Sequence, residues 1–393
     1  MIATKSQKWI YILSLLTLAV FLVLKVQRGF TDSEVQGGIW NIIQVLFVCG
    51  GLYSLFKLKS HEMQYNMIKN YKIFMFTVWF MSFFVIMFTP KISFSIIFQF
   101  ITIPYGFLCF ILFYAIGLKN DIRKYPYILY LTFFIIFYLL FSAMQMFYIL
   151  ADEKGAVADV YYIVGLLPII FIYTPKKLRI VPFIIACVAV MMTGKRTGFL
   201  ALITIFILYF LPADPKNRKP FYYRIFAFAL LLIPVYLVMS KLTGYFDLTM
   251  IDRLSKLGED GGSGRVDRWS HIINTMFTDQ SIFPLFIGHG YGSAVKLIGG
   301  HVHNDFLEFF YNYGIFVVIL YISFFISMIK ECIKMYKAQF IYAREFSIAI
   351  VVSVFLAMFS FYAIDCTHIT CCSVCLGLIL AEWYKFQNRI IHE

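Results

Sequence analysis

The residues best suited to chemistry in this chain lie in one polar run, Gly300–Phe310, with the sequence GHVHNDFLEFF. The run ends a long polar loop and opens an apolar segment, so its titratable groups lie where water meets a hydrophobic phase. Such groups are costly at that boundary, and their presence indicates a function. His303 titrates near neutral pH and Asn304 can orient a polar substrate, so His303 is the best candidate for a proton-transfer group. Helix capping or interfacial solvation is the alternative for a histidine in this place.

The neighbours of His303 leave several roles open. His301 lies two residues earlier and is either a further substrate contact or only a neighbour. Asp305 and Glu308 follow within the next turns, and carboxylates there either hold a histidine tautomer or face the water.

A second group of candidates is basic. Lys195 and Arg196 lie between two short apolar segments, and Gly194 and Gly198 leave room for a ligand to approach the backbone. Arginine binds phosphate oxygens through paired, directed donors, so Arg196 suits an anionic ligand. An arginine that extends to the lipid head groups is the alternative.

A glycine-rich stretch, Gly258–Gly264, precedes Arg265. Apolar residues then recur at helical spacing as far as Phe277, with Arg268 on the polar flank. The pattern predicts an amphipathic helix over 265–277, on the membrane face or over a cavity, with a loop before it that can hold a phosphate at the helix N-terminus.

Composition places these residues in a membrane protein. The chain has 393 residues, of which 61% are hydrophobic and only 14% charged, too few charges to cover a soluble protein of this size. Apolar runs long enough to cross a bilayer predict an all-α, polytopic fold of about twelve spans in a single domain over 1–393. The runs are Trp9–Leu24, Gly37–Phe56, Ile73–Thr89, Ser93–Leu118, Tyr127–Leu150, Ala158–Tyr173, Ile180–Met192, Phe199–Leu211, Ile225–Met239, Phe306–Ile329, Phe346–Ile364 and Ile369–Phe386.

Basic residues predict the orientation of these spans. Every second loop is basic, and such loops face the cytoplasm, so both termini are predicted inside. The net charge of +13 is explained in this way and does not indicate nucleic acid, because no soluble basic domain accompanies it. One outward loop, 241–304, is far longer than the others, and long loops are usually functional. Cys371, Cys372 and Cys375 lack the paired spacing of a zinc site and are interpreted as small residues that ease helix packing.

Four motifs occur in order between Met192 and Ile329. They are Arg196 after a short apolar run, Gly264-Arg265 before Trp269, the sequence GHGYG at Gly288–Gly292, and His303-Asn304 with Gly314 further on. With these motifs the chain resembles the O-antigen ligase and polymerase superfamily, which includes Wzy-type polymerases and lipopolysaccharide O-antigen ligases. It departs from the family pattern at three positions. Lys195 occupies a position where the family often has a small hydroxyl residue, Asn312 one where an acidic residue is common, and Val317 one where a second glycine often follows Gly314.

The resemblance implies a GT-C-like membrane glycosyltransferase that inverts the anomeric carbon and needs neither metal nor cofactor. Its donor is a glycan on undecaprenyl pyrophosphate. Arg196 and Arg265 would bind the pyrophosphate, and His303 would activate the acceptor hydroxyl. The further substrate contacts implied are Lys195, Arg268, His301 and Asn304.

The function expected from this resemblance is a repeat-unit polymerase for a surface polysaccharide. A ligase that moves a finished glycan to a lipid or protein acceptor is the nearest alternative, because both use the same donor chemistry. A transporter of the same lipid-linked sugar is disfavoured, since its polar groups should lie at mid-membrane rather than at one surface. The resemblance places the enzyme in the bacterial inner (plasma) membrane, with its active site facing the periplasm or cell exterior. A chain-length regulator and a flippase are its expected partners.

Overall fold

The computed structural model describes residues 34–87, 94–120, 160–193, 196–210, 261–278, 281–300, 302–360 and 366–392. Every regular element in these ranges is helical, which confirms the all-α class. The helices are α1 (Glu34–Lys57), α2 (Asn66–Met87), α3 (Phe94–Thr102), α4 (Tyr105–Lys119), α5 (Val160–Tyr173), α6 (Ile180–Thr193), α7 (Arg196–Phe210), α8 (Gly261–Thr278), α9 (Phe283–Ile287), α10 (Ser293–Ile298), α11 (Asp305–Tyr313), α12 (Ile315–Lys337), α13 (Ala343–Phe359) and α14 (Cys366–His392).

Within the described residues, three helical segments are long and apolar enough to cross a membrane: Asn66–Met87, Ile315–Lys337 and Ile369–Ile390. Four shorter apolar segments lie in α1, α4, α5 and α7. A helix satisfies all its backbone hydrogen bonds internally, which is why long apolar runs fold in this way beside lipid. The predicted spans Trp9–Leu24, Tyr127–Leu150 and Ile225–Met239 lie outside the described residues, so the total of about twelve stays a prediction.

Two predicted spans are each broken into two helices. The run Ser93–Leu118 is interrupted at Pro104, which lacks an N–H group to continue the helix of α3 into α4. The run Phe306–Ile329 is interrupted at Gly314, which separates α11 from α12. Gly314 has a φ of +80°, and an added Cβ atom would lie 2.1 Å from the carbonyl oxygen of Phe286. The interruption is therefore a close backbone approach that only glycine permits.

Helix α14 lies at the centre of the main hydrophobic core and packs against α4 and α5. Its cysteines Cys371, Cys372 and Cys375 are buried and form no disulfide bond among the described residues, and Cys375 Sγ donates a hydrogen bond of 3.2 Å to the carbonyl oxygen of Gly165. The interpretation of these residues as packing residues is thus confirmed.

One end of the helical bundle collects the helix termini that carry the basic residues, and we call it the ion-paired end. Lys385 Nζ in α14 donates to the carbonyl oxygens of Gly117 and Asn120 at the end of α4. Arg179, before α6, forms an ion pair of 2.9 Å with Glu345 at the start of α13. The basic loops predicted to be cytoplasmic that lie within the described residues therefore meet at the same end, while the side of the membrane stays a prediction.

The opposite end, called the site end, is formed by the other termini of the same helices together with α8–α11. Ser82 near the end of α2 hydrogen-bonds to Tyr313 at 2.7 Å between the two hydroxyl oxygens. Val85, one turn later, lies where a Cβ atom on Gly290 would meet it at 3.0 Å. The long loop is thus packed onto the bundle at one place.

Candidate active site

Helices α8–α11 surround a small hydrophobic core of their own. Its buried members are Ile272, Met276, Ala294, Val302 and Tyr311. The helical spacing of apolar residues in α8 is therefore explained by packing against α11, although Phe277 on the same helix remains 68% exposed. The sequence predicted this helix from residue 265, whereas it begins at Gly261, so part of the expected phosphate-holding loop is helical. Gly264 within its first turns has a φ of +70°.

The motif GHGYG forms the segment between α9 and α10, and its backbone is hydrogen-bonded to the end of α11. The backbone N–H groups of His289 and Gly290 donate to the carbonyl oxygens of Tyr311 and Asn312, at 2.9 and 2.8 Å. Gly288 has a φ of +71°, and a Cβ atom there would lie 2.3 Å from the backbone of Asn312. These glycines permit two backbone segments to lie in direct contact.

The side chain of Asn312 adds a further hydrogen bond between these two segments. Its side-chain oxygen accepts a hydrogen bond from the backbone N–H of Ala294 at 2.9 Å, at the start of α10. An acidic residue is common at this position in the family that the sequence resembles, and the amide oxygen of Asn312 can accept the same bond without a charge.

His303 occupies a turn whose backbone is held on both sides. Its φ of 58° lies in the left-handed region, which is uncommon for a residue with a Cβ atom. Val302 before it is fully buried, and its carbonyl oxygen accepts a hydrogen bond of 2.9 Å from Trp269 Nε1 in α8. Asn304 after it caps α11, because its side-chain oxygen accepts from the N–H of Leu307 at 3.1 Å. His303 itself is partly exposed between these two fixed points.

The two carboxyl groups that follow His303 are buried, so the second of the two alternatives for them, that they face the water, is excluded. Asp305 Oδ2 accepts a hydrogen bond of 2.9 Å from the hydroxyl of Tyr321. Glu308 is only 3% exposed, and it accepts a hydrogen bond from the backbone N–H of Val302. Burial raises the pKa of Glu308 from 4.5 to about 7, against the smaller opposing effect of that hydrogen bond.

Arg265 lies near the start of α7. The hydroxyl of Tyr161 forms side-chain hydrogen bonds with Thr197 and Ser360, and the positive charge of Arg265 acts on the same hydroxyl. Three helix termini, those of α5, α7 and α13, therefore meet at a place that the charge of Arg265 reaches. Thr197 directly follows Arg196, whose backbone begins α7.

A single helix links the arginine to the histidine. Arg265 and Trp269 are four residues apart in α8, so their side chains project from the same face. Trp269 contacts the residue before His303, and Arg265 lies near the helix that Arg196 begins. The structure thus places three of the four motifs predicted from the sequence around one face of α8.

The remaining predicted site residues are described only in part. Arg268 lies half-buried in α8, and Arg196 is described by its backbone alone. Lys195 and His301 lie outside the described residues. No sequence signal selects Tyr161 or Ser360, because each is an ordinary polar residue near the end of an apolar run. Thr197 could have been found from its place beside Arg196.

Comparison with known families locates the same region. Residues 181–322 match the family model described as O-antigen ligase (Wzy_C). The match begins at the second residue of α6 and ends within α12, so it includes Arg196, Arg265 and His303. A search of curated proteins gave no match.

Proposed function

We propose that the protein is a polysaccharide repeat-unit polymerase, because residues 181–322 match the family model described as O-antigen ligase. It transfers a growing glycan from undecaprenyl pyrophosphate to a sugar hydroxyl of a lipid-linked acceptor repeat. As a membrane glycosyltransferase it works at the site end of the bundle, facing the periplasm or cell exterior.

One observation carries this proposal: Arg265 and the His303 turn are both attached to α8. Arg265 lies beside the helix that Arg196 begins, and Trp269 of the same helix holds the carbonyl group that precedes His303. A cationic region for a leaving group and a base for a nucleophile are thus positioned by one element. Groups fixed in this way before the substrate binds lose little freedom during the reaction.

The chemistry follows from the charges. The acceptor oxygen attacks the anomeric carbon from the side opposite the pyrophosphate, and the bond from that carbon to the pyrophosphate oxygen breaks. The bonding electrons leave with the pyrophosphate, whose negative charge rises toward the transition state. Arg196 and Arg265 therefore stabilise the transition state more than the ground state. His303 takes the proton of the acceptor hydroxyl, which is a poor nucleophile while it remains protonated.

A ligase is the second candidate, and the description of the matching family model favours it. A ligase and a polymerase share the donor and differ in the acceptor. Membranes that hold only the lipid-linked repeat as substrate support elongation by a polymerase, whereas a ligase requires an added lipid or protein acceptor. The polymerase has a flippase and a chain-length regulator as its partners in this proposal.

The test is the size of lipid-linked glycans made by the His303→Ala variant. We expect polymer to fall by roughly a hundredfold to ten-thousandfold, the usual contribution of a general base, while the single repeat accumulates. His271→Ala is the matched control, because this exposed histidine lies on the polar flank of α8. Normal polymer from the His303 variant, at equal protein in the membrane, would remove this residue from the mechanism.

A further inference from the structure

Glu308 is a buried carboxyl group that the proposed mechanism does not use. It is 3% exposed, and its Oε2 atom has no hydrogen-bond partner among the described residues. It accepts a hydrogen bond from the backbone N–H of Val302, six residues earlier. A buried carboxyl group is costly, so a contact of this kind to a backbone amide beside a candidate base calls for an explanation.

Glu308 and Trp269 hold the same residue from opposite sides. Glu308 accepts from the N–H of Val302, and Trp269 Nε1 donates to its carbonyl oxygen at 2.9 Å. The second bond fixes the peptide group that joins Val302 to His303. With the Asn304 cap on the other side, the chain is held both before and after the histidine.

We propose that Glu308 is a positioning residue, whose carboxyl group fixes the left-handed turn that directs His303 toward the acceptor hydroxyl. A φ of 58° costs free energy in a residue with a Cβ atom, and it persists only where the surroundings impose it. The hydrogen bonds to Val302 impose it from α11 and α8. A base displaced by about 1 Å loses a large part of its effect.

The carboxyl group suits this task in its neutral state as well as its charged one. A protonated carboxyl group retains an oxygen that accepts from the amide of Val302. Its raised pKa of about 7 means that a neutral form is available at physiological pH, in a place where the substrate is anionic. Glutamine has the same shape and the same acceptor oxygen, and methionine has a similar volume without an acceptor.

This inference rests on the proposed role of His303, and the experiment separates the two. Glu308→Gln and Glu308→Met are compared with the wild-type protein for polymer synthesis and for hydrogen exchange of peptides that contain Val302. We expect Glu308→Met to lower turnover by about tenfold to a hundredfold, as the loss of a buried hydrogen bond to a positioned group predicts. The amide of Val302 should exchange faster in that variant. Glu308→Gln should restore most of both properties.

Trp269→Phe supplies an independent test, because phenylalanine keeps an aromatic ring at this position but lacks the N–H group that donates to Val302. If both side chains act through Val302, the effects of Trp269→Phe and Glu308→Met on turnover should be less than additive in the double variant. Glu331→Gln, which removes a buried carboxyl group at the ion-paired end, is the control and should leave the exchange of Val302 unchanged.

Each outcome bears on the proposal. Equal loss in Glu308→Gln and Glu308→Met would assign Glu308 a proton-transfer role instead, and wild-type turnover in Glu308→Met would reduce it to a space-filling residue. Either result overturns the positioning role. If His303→Ala polymerises normally while Glu308→Met still frees the amide of Val302, the proposed role of His303 as the base fails, and with it the catalytic purpose of the turn. If His303→Ala is inactive and the amide of Val302 is unchanged in Glu308→Met, only the inference about Glu308 fails.

Discussion

The two ends of the helical bundle hold their buried carboxyl groups in different ways. At the ion-paired end, Glu345 pairs with Arg179 at 2.9 Å and Glu331 with Lys334 at 2.7 Å. At the site end, Glu308 accepts a hydrogen bond from the backbone N–H of Val302, and Asp305 accepts one of 2.9 Å from the hydroxyl of Tyr321. Arg179 opposes the rise that burial causes in the pKa of Glu345, whereas at Glu308 the opposing effect comes from a backbone N–H group, and burial raises the pKa of Glu308 to about 7.

The difference indicates that the two ends have different roles: the ion-paired end joins the helices, and the site end carries the proposed reaction. A carboxylate paired with a cation joins helix termini across the bundle, as Arg179 joins the segment before α6 to the start of α13. A carboxylate within a few ångströms of an anionic substrate would repel it. A carboxyl group in its neutral form carries no charge and does not. Changes at the ion-paired end should therefore alter stability alone, whereas changes of the charged groups at the site end should alter catalysis.

The largest effect on stability is expected from Arg179→Ala. The guanidinium also lies over the ring of Tyr209 at 5.7 Å, and its removal leaves Glu345 buried without that cation. Breaking a buried ion pair by removing one partner costs about 3–5 kcal/mol. The thermal midpoint of the purified protein in detergent should fall clearly, while turnover per folded molecule stays near the wild-type value. Lys176→Ala, an exposed neighbour, is the control; an unchanged midpoint for Arg179→Ala would contradict the role of the ion-paired end in joining the helices.

Arg265→Lys tests the opposite end. Lysine keeps the charge but loses the paired donors that match a pyrophosphate. We expect synthesis of polymer to fall about a hundredfold, as for the loss of one donor to a developing anion, with little change in the thermal midpoint. Arg344→Lys, on the exposed surface of α13, is the matched control. Polymer of normal amount and length from Arg265→Lys would show that this arginine does not bind the leaving group.

Gly314→Ala tests the break between α11 and α12. The added Cβ atom would lie 2.1 Å from the oxygen of Phe286, and the φ of +80° disfavours alanine as well. We expect a loss of stability of about 2–3 kcal/mol, and displacement of the segment that carries Gly288. Gly292→Ala is a close control, because its φ is +73° but nothing lies within 4 Å of an added Cβ atom. It should cost about 1 kcal/mol; equal losses in both variants would mean that the close approach does not matter.

Hydropathy predicted most helices correctly and failed at identifiable positions. An apolar run beside lipid must be helical, so α2, α12 and α14 could be predicted from composition. The breaks at Pro104 and Gly314 were missed because both residues lie within continuous apolar runs. Glycine is required at position 314 because the backbone of Phe286 lies too close for a Cβ atom. Phe286 is 28 residues earlier in the chain, so no local sequence pattern reveals this contact.

The motif residues of the site could be predicted from the sequence, but the residues that packing brings to them could not. The pairs Gly264-Arg265 and His303-Asn304 identified two positions that the structure connects through Trp269. The meeting of Tyr161, Thr197 and Ser360 depends on the packing of three helices that are distant in the sequence. The sequence left open whether Glu308 faces water, because its burial depends on how α8 packs against α11.

The smallest effect concerns the pH dependence of stability at the site end. The pKa of Glu308 is about 7 in the folded protein and close to its ordinary 4.5 in the unfolded chain. The folded state therefore binds the proton more tightly, so the stabilisation is complete below about pH 4.5 and is lost as the pH rises through 7. Asp305, Tyr291 and Tyr313 lie in the same region, and burial raises the pKa of Tyr313, so this tyrosine stays protonated throughout that range.

Glu308→Gln removes this titration. The wild-type protein should lose roughly 2.5 kcal/mol of stability between pH 5 and pH 8 from this group, and the variant should lose correspondingly less over the same interval. Hydrogen exchange of the peptides that cover α8 and α11, measured at several pH values and corrected for intrinsic exchange, gives the difference. The same correction applied to α4 and α14 at the ion-paired end should show no difference between the two proteins. Parallel curves for wild type and variant in α11 would mean that Glu308 keeps one charge state throughout, and that the two ends do not differ in the way their carboxyl groups are held.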